Sequence, residues 1–94
     1  MSLSTMSWVF PARWLVIMPA YNEASNIEAV IDELRAVVGA ADVLVVDDAS
    51  RDDTAARARD RGAVVVRHPC NLGYGGAVQT GFRYAVERDY DYAL

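Results

Sequence analysis

The sequence predicts a three-layer α/β fold built on a parallel sheet, and three observations carry that expectation. Apolar runs without alternation recur at Trp14–Met18, Asp42–Val46 and Ala63–Arg67. Segments of helical periodicity separate them. A polar, turn-forming loop follows the carboxyl end of each run. Unalternating strands are buried on both faces, and in a chain that alternates strand and helix this means a parallel sheet covered on both sides. The crossovers of such a sheet are right-handed.

Each element has its own local reason. "WLVIM" (14–18) is short, apolar and partly β-branched, with Pro11 before it and Pro19 ending it. "PAYNEAS" follows as a loop. Ser25 and Glu28 have the spacing of a capping box, which predicts a helix start. Ile27, Val30, Ile31, Leu34, Val37 and Val38 then form one apolar stripe, and Gly39 is a natural stop, giving a helix over about 26–38. The second strand runs into "DDASRDD". A short helix covers Thr54 to about Arg61, with Ser50 and Asp53 as candidate caps and Gly62 as its end. After the third strand, "HPCNLGYGG" reads as a glycine-rich loop. A third helix is expected over about 76–88, with Val78, Phe82, Ala85 and Val86 facing inward. "YDYAL" reads as the start of a fourth strand.

Composition narrows the function classes. The chain has 94 residues, 53% of them apolar, so one small packed domain is expected rather than disorder. The net charge of −4 argues against a nucleic-acid-binding module, which needs a basic face. Cys70 is the only cysteine, so no internal disulfide forms. The apolar runs are far too short to span a membrane, and "MSLSTMSWVFPAR" (1–13), an N-terminal arm, lacks the pattern of a signal peptide. The acid-rich chain reads as cytoplasmic, or as held at the cytoplasmic face of a membrane through other segments.

The three loops that follow the strands are where a ligand belongs, because open parallel sheets bind beyond the carboxyl ends of their strands. Asp47 and Asp48 have two readings. Both are turn formers, or one accepts hydrogen bonds from a ligand rich in N–H donors, such as the edge of uracil or guanine. Asp52 and Asp53 fit a helix start, where negative charge is favoured. Tyr21 either packs over the sheet edge or forms a flat wall against a base. "NLGYGGA" is not a dinucleotide fingerprint. The third glycine would fall on Val78, and the loop follows the third strand instead of the first. Gly81, inside the third helix, costs about 1 kcal/mol against alanine, and close packing on the sheet would explain it. His68 and Cys70 lack the partners of a zinc set and read as structural.

Taken together, "VIMPAYNEASNI", "VLVVDDASRDDT" and "NLGYGGAVQTGFRYA" resemble the amino-terminal half of family 2 glycosyltransferases of the Rossmann-like GT-A fold. The third is most similar to the branch of dolichyl- and polyprenyl-phosphate mannose synthases. The resemblance covers residues 14–94. It implies a nucleotide-sugar-binding half-domain with strand order 3-2-1-4, truncated after the start of the fourth strand. It implies a UDP- or GDP-sugar donor, with a polyprenyl phosphate at the membrane as the acceptor. Pro19, Ala20 and Tyr21 would flank the base, Glu23 would hold the nucleoside, and Asp48 would bind the base with Val46 lining the same pocket. Asp47 would brace the loop. Asn71, Gly73, Gly75 and Gly76 would shape the floor.

The family also implies Mg²⁺ or Mn²⁺ on a D-x-D expected just past Leu94, and catalytic residues in the acceptor-binding half, so these 94 residues alone are expected to be inactive. The implied strand order leaves one side of the central strand largely unpaired, and such an edge favours self-association. A monodisperse monomer in light scattering at high concentration would contradict that expectation.

Overall fold

A computed structural model describes residues 12–94, so residues 1–11 of the arm lie outside the described residues. The order is β1 (Trp14–Ala20), α1 (Ile27–Val38), β2 (Asp42–Asp47), α2 (Thr54–Asp60), β3 (Val64–Arg67), α3 (Gly73–Glu87) and β4 (Tyr92–Ala93). All pairings are parallel and the sheet runs β3-β2-β1-β4, the expected order.

β2 shows why its sequence is unbroken by polar residues. Val43 and Val45 point into a cluster with Ala20, Ile27, Ile31, Ala58 and Ala63 beneath α1 and α2. Leu44 and Val46 point the other way, into a cluster with Leu15, Ala77 and Ala85 beneath α3. A strand alternates its side chains between faces, so covering both faces requires apolar residues at every position.

β1 continues through Pro19 to Ala20, beyond the expected end. Ile17 N donates to Leu94 O at 2.8 Å on the β4 side. Pro19 lies two residues on, so its nitrogen faces that same side and its missing N–H removes no bond to β2.

Three helix expectations need correction. The Ser25–Glu28 capping box does not form. The N-cap is Asn26, without a side-chain bond, and Glu23 O accepts the N–H groups of Asn26 and Ile27 instead. Glu28 is drawn away to Arg57 and Arg61 of the neighbouring helix region. For α2, Asp53 stands at the N-cap as expected but makes no side-chain cap bond, and Ser50 does not cap. Asp52 Oδ1 accepts Thr54 N at 3.1 Å.

The largest correction is α3. It begins at Gly73, so the three glycines belong to its first turn rather than to a loop. Its buried face is Ala77, Gly81 and Ala85, while Phe82 is 50% and Val86 76% exposed. A small-residue stripe at i, i+4 lets the helix lie close on the sheet. At Gly81 the approach is closest. A Cβ there would meet the Ile17 side chain, 2.8 Å from Cδ1 and 2.9 Å from Cγ1.

At the amino-terminal pole of the sheet, Arg13 is tied to the turn after α3. Its N–H donates to Asp91 at 2.7 Å, and its guanidinium donates to Arg88 O at 2.8 Å and lies over the Tyr90 ring. Trp14 stacks on Tyr92 with ring centroids 4.4 Å apart.

Candidate functional site

The carboxyl pole of the sheet is assembled by two aspartates with different tasks. Asp47 is fully buried. Its Oδ1 accepts Ser50 N at 3.1 Å and its Oδ2 accepts Arg67 Nε at 3.0 Å. Arg67 reaches on to Ser50 O at 2.6 Å. This clamp holds the turn after β2, including Ala49 at a φ of 64°, a conformation that residues with a Cβ adopt rarely. Asp47 therefore braces the loop.

Asp48, 5% exposed, joins three elements. Its Oδ1 accepts His68 Nδ1 and Leu72 N, both at 2.8 Å, and its Oδ2 accepts Gly73 N at 2.8 Å. Leu72 and Gly73 are the N-cap and first residue of α3, so Asp48 caps this helix from another strand. A carboxylate there satisfies orphan amides and favours the helix dipole. Asn71 Oδ1 adds a second bond to Gly73 N at 3.1 Å. The bond from His68, then the amide of Leu72, outweigh burial and hold the Asp48 carboxyl below its ordinary value of 3.8.

The loops after β1 and β2 are laced together. Asn22 N donates to Ser50 Oγ at 2.8 Å, and Arg51 N returns a bond to Asn22 Oδ1 at 2.8 Å. Glu23 N donates to Thr54 Oγ1 at 2.9 Å and Ala24 N to Asp52 at 3.2 Å. The Thr54 hydroxyl also donates to Asp52, which is the main reason the Asp52 carboxyl titrates low. Asn22 takes a φ of 52°, which asparagine tolerates better than most residues.

Between these loops and the start of α3 lies a cavity of about 190 Å³ lined by Pro19, Ala20, Tyr21, Asp48, Gly73, Tyr74 and Ala77. Pro19, Ala20, Tyr21, Asp48 and Gly73 are thus brought together. The other residues singled out from the sequence sit elsewhere. Val46 is fully buried, in the cluster that includes Ala77. Glu23 lines an adjoining cavity of about 110 Å³ that shares Pro19 and Ala20 with the first, together with Met18, Ile27 and Val30. Asn71 caps α3 at the surface. Gly75 faces open space, and a Cβ on Gly76 would lie 2.7 Å from Leu72 Cβ.

Tyr74, His68 and Thr80 were not expected at the site. Tyr74 is 76% exposed and lines the cavity with Tyr21, which is 46% exposed. Its place follows from the early start of α3. His68 is buried between Asp48 and Thr80, and its Nε2 lies 2.8 Å from Thr80 Oγ1. A lone histidine closing a strand was its only signal in the sequence.

A larger cavity of about 500 Å³ lies at the opposite pole, lined by Ala12, Arg13, Trp14, Val38, Ala40, Ala41, Asp42 and Leu94. It sits at the amino ends of β1 and β2, where α1 ends and presents carbonyls rather than a helix N-terminus, so size alone does not make it the site. Among the described residues no three His, Cys, Asp or Glu side chains group as ligands for a metal ion. No helix among them is long and apolar enough to cross a membrane.

Comparison with known proteins agrees with this fold. The undecaprenyl-phosphate mannosyltransferase of Micrococcus luteus is 44% identical over 84 residues, covering 84% of this chain and 35% of that protein. The polyprenol monophosphomannose synthase of Mycolicibacterium smegmatis is 36% identical, covering 83% of this chain and 32% of that protein. The chain thus spans about a third of the length of these relatives. Among solved structures, a mannosyltransferase from Pyrobaculum calidifontis in complex with GDP-Man and Mn²⁺ superposes with a TM-score of 0.71 at 32% identity, covering 78% of this chain and 24% of that one. Glucosyl-3-phosphoglycerate synthase from Mycobacterium tuberculosis in complex with UDP superposes with a TM-score of 0.60 at 33% identity, covering 83% of this chain and 32% of that one. These neighbours share the parallel sheet described above. The family model for glycosyl transferase family 2 matches residues 15–90, and the chain belongs to that family.

Proposed function

We propose that this chain is the nucleotide-sugar-binding part of a glycosyltransferase that uses GDP-mannose as donor and a polyprenyl phosphate as acceptor. The observation that carries the reading is the convergence of Pro19, Ala20, Tyr21, Asp48 and Gly73 on one cavity at the carboxyl edge of the sheet. The choice of mannose and of a lipid phosphate rests on the named relatives.

The residues suggest how a nucleoside is held. Tyr21 and Tyr74 offer aromatic walls to the base. An ionised carboxylate has about four acceptor positions, and Asp48 has three of them filled within the fold. The remaining one, on Oδ2, is available to a base N–H. Pro19 and Ala20 give an apolar floor.

In the whole enzyme an acceptor oxygen would attack the anomeric carbon and the nucleoside diphosphate would leave. A phosphate acceptor is already anionic and needs little help from a base. A divalent cation, when bound, would neutralise the diphosphate. The described residues do not group to hold it. The net charge of −4 makes that cation more important, since the chain itself repels a diphosphate.

Calorimetric titration with GDP, and with UDP as the competing base, tests the reading. Tyr21→Ala is expected to weaken binding on the order of tenfold, from lost aromatic contact. Because Tyr21 is half exposed, its melting temperature should stay within about 2 °C of the parent. Equal affinity in Tyr21→Ala would remove the base from this cavity. Tighter binding of UDP than of GDP would overturn the choice of donor.

A further inference from the structure

We propose that His68 is a positioning residue for nucleotide binding, fixing the Asp48 carboxylate by holding Asp48 Oδ1 and Thr80 Oγ1 at once. This rests on the nucleoside reading of the cavity. The geometry is complete on the protein side. His68 is 7% exposed, its Nδ1 is 2.8 Å from Asp48 Oδ1, and its Nε2 is 2.8 Å from Thr80 Oγ1.

The partners assign the tautomer. An ionised carboxylate only accepts, so Nδ1 carries the proton, and the Thr80 hydroxyl donates to Nε2. Thr80 lies within α3, and Asp48 also holds the first amides of α3. The imidazole is therefore a strut between the end of β3, the end of β2 and the helix that forms one wall of the cavity. With Oδ1 filled by His68 and Leu72, the carboxylate cannot rotate without breaking a buried bond. That leaves the open position on Oδ2 in one place, where a base N–H meets a prepared acceptor. Without His68 the carboxylate would rest on the Leu72 and Gly73 amides alone, and this looser group would have to be ordered further at each binding event, which weakens binding.

Two isosteric replacements separate the two ends of the strut. His68→Asn places an N–H where Nδ1 stands and keeps the bond to Asp48. His68→Gln places its amide where Nε2 stands and keeps only Thr80. Both lose one bond and should lower the melting temperature, His68→Gln the more because the bond to a carboxylate is the stronger. GDP affinity, by calorimetry, is expected to split: within about threefold of the parent for His68→Asn, and weaker by about tenfold or more for His68→Gln. Equal affinity of the two variants would overturn the proposal while leaving the cavity reading intact, since Tyr21→Ala tests that separately.

Should either His68 variant fail to fold, Thr80→Val removes the Nε2 partner alone. His68 is the only histidine, so a long-range ¹H–¹⁵N spectrum reads its tautomer without ambiguity. The Asp48 carboxylate should keep the proton on Nδ1 in Thr80→Val, and GDP affinity within about threefold of the parent supports the strut. A proton on Nε2 in the parent chain, or a proton moved to Nε2 in Thr80→Val with unchanged affinity, contradicts it. Failure of the unsubstituted chain to bind GDP or UDP would overturn the nucleoside reading, and the role of His68 with it.

Discussion

Asp48→Ala is expected to lower the melting temperature by on the order of 10 °C and to abolish nucleotide binding, so that stability and function fall together. The truncation strands the amide of Leu72 and the buried Nδ1–H of His68, and leaves the Gly73 amide only its bond to Asn71. It also removes the negative charge at the start of α3. Asp48→Asn should lie between, because its carboxamide presents an N–H to one of those donors.

The pH dependence follows from the direction of the shift. The Asp48 and Asp52 carboxyls titrate below their ordinary value of 3.8 in the folded chain. For a lowered carboxyl, the stabilisation is fully present above the unfolded value and is lost as pH falls through the folded one. Thermal unfolding followed by circular dichroism should therefore show a level contribution from these groups down to about pH 4 and a loss below it. The Asp48→Ala curve should be flatter in that acid range. A variant that melts within about 2 °C of the parent would mean that Asp48 does not hold the loop and α3 together.

Gly81→Ala gives the second large effect, and its sign should depend on a neighbour. Alanine in a helix interior is favoured over glycine by about 1 kcal/mol. Here the added methyl would press on Ile17, whose Cγ2 branch is fixed to the strand and cannot swing away. Overpacking of that kind costs about 1–3 kcal/mol, so after the gain in helix propensity we expect a net loss of up to about 2 kcal/mol in urea denaturation. Ile17→Ala removes the obstructing atoms. In that background Gly81→Ala should stabilise by about 0.5–1 kcal/mol. Destabilisation of the same size in both backgrounds would show that Ile17 is not what requires the glycine.

The sequence made the sheet legible because burial on both faces forces a pattern that survives without knowledge of partners. β2 is the clearest example, with Val43 and Val45 serving one layer and Leu44 and Val46 the other. α3 was less legible for two reasons. Its glycine-rich first turn is disfavoured by intrinsic propensity, yet Asp48 and Asn71 accept the Gly73 amide and let the helix begin there. Its buried stripe uses Ala77, Gly81 and Ala85, where a hydrophobicity count prefers Phe82 and Val86. The recurrence of small residues at i, i+4 was the signal that would have found it.

The family resemblance, and not the residues alone, separated Asp47 as the loop brace from Asp48, and nothing in the sequence pointed to their partners Arg67 and His68. Those partners lie 20 residues away, and only the parallel pairing of β2 with β3 brings them alongside. Tyr74 was hidden for the same reason as the helix start.

The most direct test of the central claim, that the cavity between Tyr21, Asp48 and Tyr74 receives a nucleoside, is an amide ¹H–¹⁵N spectrum recorded during titration with GDP. The largest shifts are expected on Tyr21, Asp48, Leu72, Gly73 and Tyr74. Shifts centred instead on Arg13, Trp14, Ala41, Asp42 and Leu94, around the larger cavity at the opposite pole, would contradict it.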